Sequence, residues 1–210
     1  MAGHSLKIWL NNTVDWVWPR LTGEPVPSPD EQLLITATDA PLLDEIENTV
    51  EKRTNQVDER LRNVETKLVA LLTLTSVLSA AVTASFAVAS TMQIQKDFPI
   101  IPVWITIALV FYIAMNLLRS LWATVAGLMR RGYKQLTCED IIPKDKEDKI
   151  RYKARLLNQR LNHVKWNDWV VNQKVSEMAV AHTALRNALV ATGGVIFLAL
   201  ATAVLKLIMK

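Results

Sequence analysis

Residues 68–95 read LVALLTLTSVLSAAVTASFAVASTMQIQ, 28 positions without one charged side chain. A helix rises about 1.5 Å per residue, so roughly 20 apolar residues already cross the hydrocarbon core of a bilayer. Two more uncharged runs follow, 98–118 over 21 positions and 187–205 over 19, closed by Arg119 and Lys206. Three such runs in 210 residues predict a membrane protein with three transmembrane helices. The link at 93–98 is so short that the first two spans must form an antiparallel hairpin.

Outside the spans the chain is charge-rich, carries only 6 glycines, and shows almost none of the period-two alternation of a half-buried strand. The expected fold class is therefore all-α, with the hairpin and a third span joined to long cytoplasmic coiled-coil-like helices. One cysteine, Cys138, excludes an intrachain disulfide and a thiolate zinc cluster. It reads as a spectator, with palmitoylation the alternative. Residues 1–67 hold 7 Lys/Arg against 12 Asp/Glu, whereas 130–186 hold 13 against 7. Positive charge in short links is retained inside, which predicts cytoplasmic 130–186 in a cell inner membrane. The N-terminus then lies on the same side and the C-terminus on the opposite one.

Working outward, residues 1–18 read as an amphipathic Trp-rich helix, lying on the membrane interface or packed on the protein. Prolines 19, 25, 27 and 29 make 19–40 a linker. From Pro41, Leu43, Val50, Val57, Val64 and Leu71 recur every seventh residue, with Glu47, Thr54, Leu61 and Leu68 as a second, half-polar seam. This predicts a stalk helix over 41–67 running without a break into the first span at 68–95. Residues 119–144 read as an interfacial extension and basic loop after the second span at 98–118. A second heptad helix is expected over 145–186, with Ile150, Leu157, Val164, Val171, Met178 and Leu185 on one seam. Its partner seam reads Ala154, Leu161, Asp168, Val175, His182 and Leu189, and the helix enters the third span at 187–205.

Polar residues on such seams fix register or oligomer state, so Asp168, His182 and Thr54 are the register candidates. His182 has pH sensing as its alternative. Arg119 is the candidate charge at membrane depth, an interfacial anchor or a pore-lining or lipid-binding group. Gly193, Gly194, Ser76, Ala81 and Ala84 are small residues that let helices approach closely in lipid. Nothing supports catalysis. There is no phosphate loop or nucleophile elbow, and His4, His163 and His182 lie far apart. No enzyme activity, cofactor, metal or nucleic-acid partner is expected. The expected partners are the lipid bilayer, further copies of the chain, and a soluble protein or trigger on the cytoplasmic side.

A polar helix ending in Glu65, Thr66 and Lys67 and entering a Leu/Ala/Ser-rich span resembles the SLATT-type and Pycsar-type small transmembrane effectors of bacterial defence. The resemblance is architectural and covers roughly residues 60–186, including the run from Asn158 through Asn172 and Lys174 to Asn187. It implies an oligomer that permeabilises the membrane when triggered. The third span and the Trp-rich N-terminus depart from that pattern. The competing expectation is a non-conducting anchor that recruits a soluble partner through its helices.

Overall fold

The computed structural model describes residues 40–91, 100–130, 132–143 and 148–208. The helix expected over 1–18, the linker up to 39 and the turn at 93–98 lie outside the described residues. Among the described residues four helices form: α1 Ala40–Thr91, α2 Ile100–Met129, the single turn α3 Cys138–Ile141 and α4 Lys149–Ile208. All regular structure among the described residues is helical, and three of these helices are long and apolar enough to cross a membrane.

Local sequence sets the starts. Pro41 and Pro102 sit in the first turns of α1 and α2, where a missing N–H costs no hydrogen bond. Asp148 opens α4 by accepting the Lys149 amide on its side chain and the Tyr152 amide on its carbonyl, both at 2.8 Å. Neither Gly193 nor Gly194 interrupts the 60 residues of α4.

The chain divides into two compact units. The first holds described residues 68–126 and 177–208. Its core is Ile113 and Leu117 of α2 against Leu185, Ala188 and Ala191 of α4, with Leu71, Leu78 and Val82 of α1 packed beside them. Its outside is apolar as well, and its inside holds polar groups. Trp104, Phe111, Leu118, Trp122, Phe197 and Leu200 all face outward, Trp122 at 77% exposure, while Thr75, Asn116, Ser120, Thr124, Glu177 and Asn187 are buried. An apolar surface of this extent calls for an apolar medium or a partner.

The second unit holds described residues 40–67 and 127–176. Here α1 and α4 run parallel in a fixed register: Asp44 pairs with Lys153 and Glu65 with Lys174, each 109 positions apart. Leu43, Val50, Val57 and Val64 of α1 are buried, as are Leu157, Val164, Val170 and Val171 of α4. Burying each such side chain contributes about 1.5–3 kcal/mol.

The structure refines three expectations. The extension expected from Arg119 opens as helix, because α2 runs on to Met129. Its cause is local: ten uncharged, mostly helix-forming residues follow, and one long cation does not end a helix. Residues 177–186 group with the apolar unit, because Val180, Ala181, Ala184 and Leu185 are buried there and pack with α2 and α1. Third, the buried companion of the Leu157, Val164, Val171, Leu185 seam is offset by three residues rather than four. It consists of Asn167, Lys174, Ala181 and Ala188, whereas His182 and Leu189 are exposed.

Candidate functional site

Within the apolar unit, a side chain of α1 and a backbone carbonyl of α4 converge on Ser120 of α2. Asn116, Ser120 and Thr124 lie four residues apart on one face of α2, and each is fully buried. The Ser120 hydroxyl donates to the Ala181 carbonyl of α4 at 3.0 Å. Its one proton is thereby used, so Thr75 of α1 is the donor in the 3.1 Å contact between the two hydroxyls. Thr124 donates back to the Ser120 carbonyl at 2.8 Å. α1, α2 and α4 are thus bonded at a single serine. One turn along, Asn116 donates to the Tyr112 carbonyl at 3.0 Å, while its own Oδ1 is sealed from solvent without a donor. A buried acceptor left unmade costs about 1–3 kcal/mol.

The polar unit carries a ladder of charges between α1 and α4. Lys153 binds Asp44 and, at 2.8 Å, Glu47; Arg160 stands 3.7 Å from Glu47. In the middle the signs invert, with Arg60 at 2.5 Å and Arg53 at 3.6 Å from Asp168. Arg60 also donates to Asn172 at 2.9 Å. Glu65 and Lys174 close the ladder at 2.5 Å. The two carboxylates hold the Lys153 ammonium above the usual lysine range through direct hydrogen bonds.

A strap at 132–143 is clasped onto α4. Asn167 accepts the Lys134 amide at 2.8 Å and donates to the Lys134 carbonyl at 2.9 Å, as a neighbouring strand would. Trp166 donates to the Gly132 carbonyl, with the Lys134 ammonium 4.3 Å from its ring. Arg155 holds the Asp140 and Ile142 carbonyls at 3.1 Å, and Gln159 donates to Asp140 at 3.0 Å. Asp140 is held below the usual carboxylate range, chiefly by the Thr137 amide and hydroxyl. His163 has its Nδ1 sealed off without a partner. Burial pushes its pKa down, opposed by Asp140 and assisted by Lys134.

The residues singled out by sequence fall in different places. Asp168 is bonded across to α1 of the same chain. Thr54 donates to the Val50 carbonyl of its own helix at 2.8 Å. His182 is exposed, and Arg119 lies within the apolar unit on α2. Ser76, Ala81, Ala84 and Gly193 are exposed on their helices, and a Cβ on Gly193 would meet nothing within 4 Å. A Cβ on Gly194 would reach Leu109 at 4.0 Å. Sequence reasoning missed Asn116, Ser120, Thr124, Asn167 and Lys174. The i, i+4, i+8 spacing of the first three was a readable signal, as was the seven-residue step from Asn167 to Lys174.

Comparison with protein-family models, with curated proteins and with solved structures gives no match.

Proposed function

We propose that the chain is an oligomeric, multi-pass inner-membrane effector with no enzymatic activity. It permeabilises the membrane when its cytoplasmic helices are triggered, as in bacterial antiphage defence. The N-terminus and residues 130–186 face the cytoplasm, and the C-terminus faces the other side.

The observation that carries this reading is the serine-centred polar layer inside a unit whose outside is apolar. Polar groups at membrane depth are expensive and mark paths for ions or protons. α1 and α4 also pass without a helix break at the 67/68 and 176/177 divisions. A change in the packing of their ion-paired halves therefore has a covalent route to the polar layer. The small exposed positions Ser76, Ala81, Ala84 and Gly193 give neighbouring copies a close-packing face.

Planar-bilayer conductance of the purified oligomer tests this. Ion currents that disappear together with the oligomer in Gly193→Leu support it. A well-ordered oligomer that never conducts, with or without a cytoplasmic partner, rejects it.

One observation favours a second reading, a non-conducting anchor. Leu43, Val50, Val57 and Val64 are buried against elements of their own chain, which leaves the outer faces of the polar unit to recruit a soluble partner. Benign overexpression without depolarisation is the result that selects it.

A further inference from the structure

The polar unit contains a half-open cleft of about 270 Å³ lined by Leu61, Glu65, Leu128, Arg130, Tyr133, Val170 and Lys174. Three of its walls, Leu61, Leu128 and Val170, are apolar. Tyr133 is committed to Asp58, to which its hydroxyl donates. Lys174 is the unusual member: its side chain is 4% exposed, against 44% for its partner Glu65. An ammonium carries three N–H donors, and only the bond to Glu65 is made by Lys174 among the described residues. A buried charge with two donors unused at the wall of a cavity calls for further acceptor oxygens.

The place of the cleft in the chain says where those oxygens come from. Glu65 precedes the first apolar run by three residues, Leu128 and Arg130 bracket the last residue of α2, and Lys174 precedes Glu177 by three. Among the described residues, every crossing of the chain between the two units therefore lies within three residues of a residue that lines this cleft. On the membrane reading above, on which this inference rests, that is the level of the lipid headgroups. Soluble ligand pockets run from roughly 300 Å³ upward. This smaller, open cleft suits a headgroup whose acyl chains stay outside.

We propose that the cleft binds an anionic glycerophospholipid headgroup. Its phosphate oxygens accept from Lys174 and from the Arg130 guanidinium, its glycerol backbone lies against Leu61, Leu128 and Val170, and a headgroup hydroxyl donates to Glu65. Charge-assisted bonds of this kind are the strong ones, and a planar guanidinium suits phosphate.

The test uses the full chain in neutral detergent, titrated with short-chain phosphatidylglycerol, phosphatidylcholine or inorganic phosphate. Thermal midpoint and native mass spectrometry are the readouts. Phosphatidylglycerol should bind saturably, about tenfold more tightly than phosphatidylcholine, as one lost charge-assisted bond implies. Lys174→Gln and the more exposed Arg130→Gln, which lose a phosphate contact, should each weaken phosphatidylglycerol binding about tenfold. Equal affinity of the unaltered chain for the two lipids, or an unchanged phosphatidylglycerol affinity in both variants, overturns the proposal. Equal stabilisation by inorganic phosphate also overturns it, in favour of a free-anion site. Flotation with phosphatidylcholine vesicles is run in parallel: a chain that stays unbound there overturns the membrane reading itself, whereas one that floats without headgroup preference overturns only the site.

Discussion

Arg60 of α1 places its guanidinium 2.5 Å from one oxygen of Asp168 on α4, across 108 positions of sequence. Asp168 is one-quarter exposed and Arg60 about half, so the pair is well screened. Its value lies in its sign. Above and below it, α1 supplies the acid and α4 the base; here the order is reversed. The reversal alternates the charges along each helix, and the exposed pair adds little stability of its own.

A double-mutant cycle on Arg60→Ala and Asp168→Ala should therefore give a coupling of only about 0.5–1 kcal/mol in chemical denaturation. Asp168→Arg, which sets three cations together, should cost more than either alanine. A coupling well above 2 kcal/mol would show that the screening argument is wrong.

Ser120→Ala removes the one hydroxyl that bonds α1, α2 and α4. Hydrogen bonds between helices in bilayers average about 0.6 kcal/mol, so a loss of about 1 kcal/mol is expected for the two bonds. Ser120→Leu, overfilling a fully buried position, should cost about 1–3 kcal/mol. Unfolding measured in bicelles distinguishes the two, and equal effects would mean that the layer is loosely packed.

Asn167→Ala should release the strap at Lys134. The amide and carbonyl of Lys134 both lose their side-chain partner, at a cost of about 1–3 kcal/mol if they stay buried. Hydrogen exchange at the Lys134 amide should accelerate while exchange in the core of α1 stays slow. Unchanged protection at Lys134 would remove Asn167 from that role.

The strap also makes stability pH-dependent. Burial favours neutral His163, so its folded pKa lies below the unfolded value of 6.5. Between those values the unfolded chain binds more protons, and stability rises with pH. The contribution is therefore present above pH 6.5, declines as the pH falls toward the folded pKa, and levels off below it. Replacing His163 with Leu should flatten this slope. Asp140, depressed by Thr137, contributes stability above its unfolded value of 3.8 that is lost only at more acid pH. A slope that persists in the His163 variant between pH 6.5 and 5 assigns the titration to another group.

Apolar periodicity was the legible part of this fold. Leu43, Val50, Val57 and Val64 repeat every seven residues, and all four are buried. In sequence the α4 seam passes through Asp168 and His182, because Leu161, Val175 and Leu189 share that phase and look like core. The buried phase instead contains Asn167 and Lys174, polar residues that hydrophobicity discards. They are buried because a strap carbonyl and a carboxylate from α1 await them, and those partners sit at sequence distances no periodicity reveals. Arg119 is ambiguous for the opposite reason. A charge suggests the end of a span, yet the helix itself continues through Trp122 to Met129. Ser120 and Thr124 resembled ordinary small residues of a span, since a hydroxyl bonded to a carbonyl leaves no compositional trace.

The register of α1 against α4 also constrains how this chain can vary in length. Asp44 meets Lys153 and Glu65 meets Lys174 at the same separation of 109 positions. An insertion between residues 47 and 65 would break the lower pairs unless an insertion of equal length arose between 160 and 174. Segments far apart in sequence must therefore lengthen or shorten together, while the connection at 130–148 bears no such restriction beyond its clasp. Among relatives, matched changes in these two segments would be the heritable mark of the pairing, legible from chain lengths alone.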